Sequence, residues 1–439
     1  MDLQLAKGVN DVPPEEKIVQ DKIVNTIKET FEIYGFAPLE TPILERYETL
    51  SAKFGAGAGS DALKETFKLT DQGNRNLGLR FELTTSLGRY MAMNPNLKLP
   101  FKRYEVGPVF RDGPIKLGRS RQFWQCDADI IGTKSMLAEA EILALTTSIF
   151  KKLRLEVVIK VNNRKLLNGI LTQSGIKNPE KAVEAIIIID KLDKIGPREA
   201  AQELENKGFS QKIIQALFNL LPENATLKDL TPILTDPEGK EGLQELEELF
   251  SYLRSMKLDS VKFDVSLARG LGYYTGTVYE VVLPAGPISS SLAGGGRWDK
   301  MIGKFRGGEG EVPAVGIALG LVPIMEVMKT KLKLTVSTPA VVYVIPISAE
   351  IDFLPLVQQL RDKGIKTSFS LGKKGVSKNL EYASSLGIPY VIIVGEREIK
   401  ENKVLLRDMD SGMESQLSLS EAIKRLNKSG LNKQELIGN

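Results

Sequence analysis

The 439-residue sequence contains no histidine and only one cysteine, Cys126. Without histidine, the chain has no imidazole for a Ser–His or Cys–His catalytic pair or for a histidine-ligated zinc site. A single cysteine excludes an intrachain disulfide and a CxxC metal site. Any chemistry must therefore rest on carboxylates, arginines, lysines, tyrosines and bound metal, and no metal site built from histidine or cysteine is expected.

The sequence also has no apolar run that approaches the roughly 20 residues needed to span a bilayer. The N-terminal residues MDLQLAKGVNDVPPEE are polar and acidic, so no secretory signal is visible. We therefore expect a cytoplasmic protein that does not associate with membranes. The net charge of +4 is mild, and its surplus lies after Lys331, which permits contact with a polyanion.

Hydrophobic periodicity divides the chain into several segments. Helical and extended patterns alternate at first, and successive helical periods broken by glycine or proline then predict a helical insertion. Strand patterns resume, a linker is expected at 330–339, and the strand–helix alternation that follows predicts a small α/β domain with a largely parallel sheet. The expected boundaries are 1–164 and 251–330 for the two parts of one domain, 165–250 for the insertion and 338–428 for the last domain.

Residues 101–132 predict an antiparallel hairpin with a polar row on its second strand. Period two places Gln125, Asp127 and Asp129 on one face and Cys126 on the other, core face. A polar row on a sheet face costs stability unless the row is solvated or faces a ligand.

The loop of this hairpin is basic and about ten residues long. It carries Arg111, Lys116, Arg119 and Arg121. Arginine offers planar bidentate donors that match phosphate oxygens, so the loop is a candidate phosphate-binding element. The alternative is a solvated hairpin tip with surface charges.

Residues 79–85, LRFELTT, form the end of a predicted strand that begins near residue 76. Period two places Glu82 and Thr84 on one face of this strand. A carboxylate there could hold an ammonium group, and the alternative is an edge strand turned to water.

Residues 267–276, LARGLGYYTG, also have the composition of a buried strand. That interpretation places Arg269 and Tyr273 on one face, with two glycines opposite and Tyr274 on the glycine face unless the backbone bends. A buried arginine needs an anionic partner, which is either a carboxylate elsewhere in the chain or an anionic ligand.

Residues 294–301, GGGRWDKM, are a glycine run that the pattern places in a loop before a helix. Such a run either brings backbone N–H groups close to a phosphate or forms an ordinary turn.

These segments together resemble the histidyl-tRNA synthetases, a family of class II aminoacyl-tRNA synthetases. LARGLGYYTGTVYE is similar to the family signature RGLDYYTG, and VGPVFRDGPIKLGRSRQFWQCDADIIG resembles class II motif 2. YGFAPLETPILE resembles motif 1, AGGGRWD resembles AGGRYD, and PAVGIALGL resembles the start of motif 3. The resemblance implies an α+β fold: a class II antiparallel sheet flanked by helices, a helical insertion domain, and a C-terminal α/β anticodon-binding domain.

The resemblance implies ATP-dependent activation of L-histidine and its transfer to tRNA(His), by a homodimer that uses Mg²⁺ with ATP. The residues it implies in histidine binding are Glu82, Thr84 and Gln125 at the amino group, Asp129 and Tyr274 at the imidazole, Tyr273 in the pocket wall, Arg111 at the carboxylate, and Arg269 over the α-phosphate. It also implies that Arg111, Arg119, Arg121 and Arg269 bind ATP, with Arg111 and Arg269 as the catalytic residues.

The sequence departs from the family pattern at two places. Gly272 stands where the signature has aspartate, and Val322-Pro323 stands where motif 3 ends in Glu-Arg. The arginine that would hold the γ-phosphate is therefore missing from its position, and Pro323 is expected to shift the start of the following helix. Either another residue such as Arg306 substitutes, or the chain is a catalytically impaired paralog that regulates by binding tRNA or histidine.

Overall fold

The structure is a computed structural model that describes most of the chain. The described residues are 3–52, 64–115, 119–222, 225–269, 273–285, 291–308, 310–331, 337–347, 352–372 and 375–433. Their contacts form two units, Met1–Asn10 with Val24–Val327 and Asp11–Ile23 with Met328–Asn439. None of the helices in the described residues combines the length and apolar character that crossing a membrane requires.

The helices follow in chain order. They are α1 (Pro14–Ile33), α2 (Tyr47–Ala52), α3 (Thr84–Met93), α4 (Leu137–Lys152), α5 (Arg164–Gln173), α6 (Pro179–Ile189), α7 (Leu192–Asn206), α8 (Gln211–Asn219), α9 (Leu227–Leu230), α10 (Pro237–Ser255), α11 (Met301–Phe305), α12 (Leu321–Lys331), α13 (Leu354–Asp362), α14 (Val376–Ser385), α15 (Glu396–Lys400) and α16 (Leu419–Lys433).

The strands are numbered in the same way. They are β1 (Ala37–Pro38), β2 (Leu44–Arg46), β3 (Lys68–Thr70), β4 (Asn76–Leu79), β5 (Phe101–Phe110), β6 (Gln122–Ile131), β7 (Val158–Asn163), β8 (Val261–Phe263), β9 (Thr277–Val282), β10 (Ala293–Arg297), β11 (Ala314–Gly320), β12 (Val342–Ile347), β13 (Thr367–Phe369), β14 (Tyr390–Gly395), β15 (Lys403–Asp408) and β16 (Glu414–Ser418).

The first unit is built on an eight-stranded sheet with the order β1-β5-β6-β11-β10-β9-β7-β8. Its central pairs are antiparallel, and only the two edge pairs, β1 with β5 and β7 with β8, are parallel. A cluster of buried apolar side chains that includes Leu87, Ile131 and Trp298 packs α3 and α11 against this sheet. The predicted antiparallel sheet flanked by helices is therefore present.

Helices α5 to α10 lie in sequence between the parallel edge strands β7 and β8. Helices α5, α6, α8 and α10 each begin after an Asn, Ser or Asp whose side chain caps the helix. The Asn178 side chain accepts a hydrogen bond from the N–H of Glu180 at 2.8 Å, with Pro179 as the first helical residue of α6. Because Ile159 of β7 pairs with Val261 of β8, this helical segment leaves and rejoins the sheet at one edge.

The second unit contains a five-stranded sheet with the order β13-β12-β14-β15-β16. Strands β13, β12 and β14 are parallel, and β15 and β16 add an antiparallel hairpin. Side chains such as Val342, Ile392 and Leu426 form its buried core. This is the predicted strand–helix alternation. The predicted linker at 330–339 falls partly on 332–336, which lie outside the described residues.

Candidate active site

The first unit contains a cavity of about 80 Å³ over the sheet, which we call the site cavity. The eight residues that the sequence implied in histidine binding all line it: Glu82, Thr84, Arg111, Gln125, Asp129, Arg269, Tyr273 and Tyr274. They come from three separate stretches of chain that the fold brings together. Arg119 and Arg121, which were expected to bind ATP, are not among its lining residues.

The hairpin of β5 and β6 supplies one wall of the site cavity. Gln125, Asp127 and Asp129 line the cavity, whereas Cys126 and Ala128 are fully buried on the opposite face. The alternation that period two predicted is therefore confirmed.

The floor of the site cavity is made of small residues on β10 and β11. Gly316 pairs with Asp129, Ala318 pairs with Asp127, and Gly294 pairs with Ala318, so these residues share one face. A Cβ atom on Gly316 would lie 1.9 Å from Asp129 Oδ1, and one on Gly294 would lie 1.3 Å from Arg269 Nη1. Both glycines are therefore required for neighbouring charged groups to reach the floor.

This placement corrects the prediction for the glycine run. Residues 294–297 form a central strand, and their backbone groups pair with β9 and β11. They are thus neither a turn nor a loop that offers free N–H groups to a phosphate. Short side chains also suit a strand where another group must approach the backbone closely.

Arg269 does not lie on a strand, contrary to the prediction for residues 267–276. Strand β8 ends at Phe263, β9 begins at Thr277, and Gly270 to Gly272 lie outside the described residues. The φ angle of Arg269 is +41°, in the left-handed region that non-glycine residues rarely adopt. Its Nη1 donates to the carbonyl oxygen of Tyr279 at 3.1 Å, so this bent backbone directs the guanidinium over Gly294.

Tyr273 and Tyr274 stack beside this guanidinium, with ring centroids 4.4 Å apart. The Tyr273 hydroxyl donates to the Tyr274 hydroxyl at 3.3 Å. Burial raises the pKa of both phenols, so both remain neutral hydroxyls at physiological pH. A neutral hydroxyl can donate as well as accept a hydrogen bond.

Glu82 and Thr84 reach the site cavity from a helix start rather than from a strand. Strand β4 ends at Leu79, and α3 begins at Thr84. The Thr85 hydroxyl donates to Glu82 Oε1 at 2.6 Å, and Glu82 is 7% exposed. The predicted strand is therefore wrong here, since the chain enters α3 directly after Leu83.

Arg111 is the loop arginine that enters the site cavity. Its Nε donates to the carbonyl oxygen of Phe81 at 3.1 Å, and its guanidinium carbon lies 5.1 Å from the centre of the Phe123 ring. Burial lowers the pKa of Arg111, and the carboxylate of Glu82 opposes this shift. Arg121 instead pairs with Asp112 at 3.0 Å, and Arg119 is exposed.

A buried charge network below the cavity was not found from the sequence. Arg103 is fully buried, and its Nη2 lies 2.8 Å from Asp129 Oδ2. Its Nη1 lies 3.7 Å from Glu105, which also pairs with Arg80 at 2.7 Å. Trp298 Nε1 donates to Asp129 Oδ1 at 3.2 Å. Burial raises the pKa of Asp129 to about 6, and the charge of Arg103 limits this rise.

The motif 3 departure falls where β11 joins α12. Helix α12 begins at Leu321, directly after the strand, and Pro323 is its third residue. The first four N–H groups of a helix have no intrahelical acceptor, so proline is tolerated there and the helix start is not delayed. Arg306 lines a different cavity of about 210 Å³ and donates to the carbonyl oxygen of Met91 at 3.3 Å. Arg306 is therefore not positioned in the site cavity.

The site cavity is lined by charges of both signs. The carboxylates of Glu82, Asp127 and Asp129 line it together with the guanidinium groups of Arg111 and Arg269. Such a cavity suits a ligand that carries both an anion and cationic or N–H donor groups.

Comparisons of this sequence with known proteins indicate one family. The family profile described as histidyl-tRNA synthetase matches residues 8–324, and that of the anticodon binding domain matches 341–429. Histidine–tRNA ligase 1 of Bacillus cereus (strain ATCC 10987 / NRS 248) is 42% identical over 96% of this chain and 96% of its own length. Histidine–tRNA ligase 2 of Shouchella clausii is 39% identical over 95% of this chain and 99% of its own.

A solved structure shows the same likeness in three dimensions. The crystal structure of histidyl-tRNA synthetase from Nostoc sp. PCC 7120 superposes with a TM-score of 0.85 at 32% identity, covering 97% of this chain and 99% of that one. Profile, sequence and structure agree over nearly the full length, and the chain therefore belongs to the histidyl-tRNA synthetase family.

Proposed function

We propose that this chain activates L-histidine with ATP to form histidyl-adenylate and then transfers the histidyl group to the 3′ end of tRNA(His). The observation that carries the proposal is the meeting of Arg111 and Arg269 with three buried carboxylates in one cavity. The carboxylate of an amino acid and the phosphates of ATP are anions and would lie at the arginine end. The ammonium and imidazole N–H groups would lie at the carboxylate end.

In the first step, a carboxylate oxygen of histidine bonds to the α-phosphorus of ATP, and pyrophosphate leaves with the electron pair of the broken P–O bond. In the second step, the terminal ribose hydroxyl of the tRNA attacks the carbonyl carbon, loses its proton, and displaces AMP. Phosphoryl transfer of this kind needs positioning and charge stabilisation more than a strong base, which suits a chain without histidine. We assign Arg111 to the substrate carboxylate and α-phosphate, and Arg269 to the charge that develops on the α-phosphate.

Neutral imidazole has one N–H donor and one acceptor nitrogen. The Asp129 carboxylate would accept from the N–H, and the Tyr274 hydroxyl would donate to the other nitrogen. Glu82, Thr84 and Gln125 would hold the amino group. A site built on such hydrogen bonds can reject an analogue that lacks one of them by roughly 10⁴–10⁵.

Other parts of the proposal rest on coarser observations. We propose that Mg²⁺ arrives with the ATP phosphates as part of the substrate, because Mg²⁺ is usually bound by one or two carboxylates together with substrate phosphates. Exposed Ile43, Leu44 and Leu69 support a homodimer interface near motif 1. We place the enzyme in the cytoplasm, with tRNA, histidine and ATP as its partners.

We further propose a division of labour along the chain. Residues 1–164 and 251–330 would form the catalytic domain, with residues 165–250 as its helical insertion. Residues 338–428 would bind the anticodon, which is supported by the anticodon-domain profile over 341–429.

Histidine-dependent exchange of pyrophosphate into ATP tests the proposed activity. We expect turnover with L-histidine and none with other amino acids. A second candidate, an impaired paralog that only binds tRNA or histidine, is favoured by Val322-Pro323 at the end of motif 3. No exchange at high enzyme concentration, with histidine binding retained, would support that candidate against the active enzyme.

Replacing Asp129 with alanine is expected to raise the KM for histidine by at least about tenfold while the KM for ATP changes little, because a hydrogen bond to a charged group is worth about 1.5–3 kcal/mol. Exchange kinetics at varied histidine and varied ATP would measure both constants. An unchanged KM for histidine would show that the imidazole lies elsewhere.

A further inference from the structure

One carboxylate of the site cavity has no assigned role in the arrangement above. Asp127 is 1% exposed and lines the cavity. Within the described residues, neither of its carboxylate oxygens has a hydrogen-bond partner. A buried carboxylate without a hydrogen-bond partner costs stability, and a ligand that donates hydrogen bonds to Asp127 would remove this cost.

A second unsatisfied acceptor lies two residues away on the same strand face. Gln125 Oε1 is also buried and without a hydrogen-bond partner in the part of the chain that the structure describes. Both side chains point into the cavity that Glu82 enters from the start of α3. The negative charge of Glu82 disfavours ionisation of Asp127, and a cation between the two carboxylates would relieve this repulsion.

We propose that Asp127 is a direct ligand of the α-ammonium group of the substrate amino acid, in addition to Glu82, Thr84 and Gln125. An ammonium group has three N–H donors and no acceptor, and Asp127, Glu82 and Gln125 supply carboxylate and amide oxygens that can accept them. Asp129 differs because Arg103 and Trp298 already contact its carboxylate. This inference rests on the proposed function, because it assumes that the cavity binds an amino acid.

The charged and titratable groups around Asp127 determine how it responds to protons. They are Arg103 and Glu105 on β5, Asp129 on β6, Glu82 before α3, and Tyr274. Burial raises the pKa of Asp127, the charge of Arg103 opposes this rise, and the three carboxylates add to it. In the empty cavity the carboxyl group therefore holds a proton more tightly than an exposed aspartate does. Binding of an ammonium group favours the ionised form, so substrate binding should release this proton.

The test compares ligands that differ in one group, with Asp127→Asn and Asp129→Asn as a matched pair of variants. The probes are L-histidine, L-histidinol, which keeps the amino group, and imidazole-4-propionate, which lacks it. We expect Asp127→Asn to weaken binding of L-histidine and L-histidinol by about 10- to 100-fold and to leave imidazole-4-propionate unchanged. Asp129→Asn should weaken all three.

Two outcomes would overturn the inference: unchanged affinity of Asp127→Asn for L-histidine, or an equal loss of affinity for imidazole-4-propionate, which would place Asp127 at the ring. Failure of the wild-type protein to bind L-histidine would instead contradict the proposed function itself. Binding is measured at equilibrium, so the result does not depend on catalysis.

A measurement on the wild-type protein keeps the inference testable if the variant does not fold. Calorimetry in buffers with different ionisation enthalpies gives the number of protons released on binding. We expect L-histidine to release up to about one proton more than imidazole-4-propionate, so its affinity should fall more steeply than that of imidazole-4-propionate as the pH is lowered. Equal proton release by the two ligands would contradict the role of Asp127.

Discussion

Replacing Arg269 with alanine is expected to lower histidine-dependent ATP–pyrophosphate exchange by about 10²–10³-fold, which corresponds to about 3–4 kcal/mol of activation free energy. The guanidinium lies against Gly294, with its Nη1 bonded to the Tyr279 carbonyl. Its remaining N–H groups would meet negative charge as it develops on the α-phosphate. Loss of an interaction that is made mainly in the transition state lowers kcat and kcat/KM together.

Arg254→Ala provides the matched control, because Arg254 is an exposed arginine on α10. This variant should exchange pyrophosphate at the wild-type rate. Both variants should bind tRNA as the wild-type protein does and should unfold at similar temperatures. If Arg269→Ala retained wild-type exchange, the assignment of Arg269 to the reacting phosphate would be wrong.

The sequence predicted the site best where one periodic pattern determined the geometry. Strands β5 and β6 alternate regularly, so the face that carries Gln125, Asp127 and Asp129 followed from counting residues. The same hairpin contained information that the sequence reading did not use. With a symmetric loop, its register sets Arg103 opposite Asp129 and Glu105 opposite Asp127. The buried counterion of the candidate imidazole-binding carboxylate could therefore have been found by pairing the two strands.

The predictions from the sequence were wrong where tertiary contacts override local conformational preference. The glycine run at 294–296 has turn composition, yet it pairs as a central strand, and the absence of side chains leaves space for Arg269 and Tyr274. Residues 267–276 have strand composition, yet Arg269 has a positive φ angle. In both places a local rule is broken beside the candidate active site, as expected where binding geometry constrains the backbone.

Arg103→Met is expected to lower the free energy of unfolding by about 3–5 kcal/mol, because it removes one partner from a buried ion pair. Arg103 is fully buried, with Asp129 at 2.8 Å and Glu105 at 3.7 Å. Glu105 keeps Arg80 as a partner, whereas Asp129 keeps, among the described residues, only the hydrogen bond from Trp298. Denaturant unfolding of the variant and the wild type would measure the difference.

The same substitution should shift the protonation of Asp129 upward in pH. The pKa of this carboxyl is raised to about 6 by burial, with the charge of Arg103 limiting the rise. Without Arg103 the pKa should be higher still. If the pKa of a carboxyl is higher in the folded than in the unfolded state, the free energy of unfolding of the protein decreases as the pH rises toward the folded pKa. The stability difference between variant and wild type should therefore grow as the pH rises above 6.

The difference in histidine affinity between the variant and the wild type should change with pH in the opposite direction. Below its raised pKa, Asp129 in the variant is protonated and is a poorer acceptor for the imidazole N–H. The difference in histidine affinity between the variant and the wild type is therefore largest near pH 6 and narrows as the pH rises.

Arg89→Met is the control, because Arg89 pairs with Glu45 at 2.7 Å and does not line the site cavity. It should lose stability without any pH-dependent change in histidine affinity. In Arg103→Met, the stability difference from the wild type should grow with pH, whereas the affinity difference should shrink. These opposite trends would separate the two roles of Arg103. A loss of packing alone would weaken folding and binding without linking either of them to the titration of Asp129.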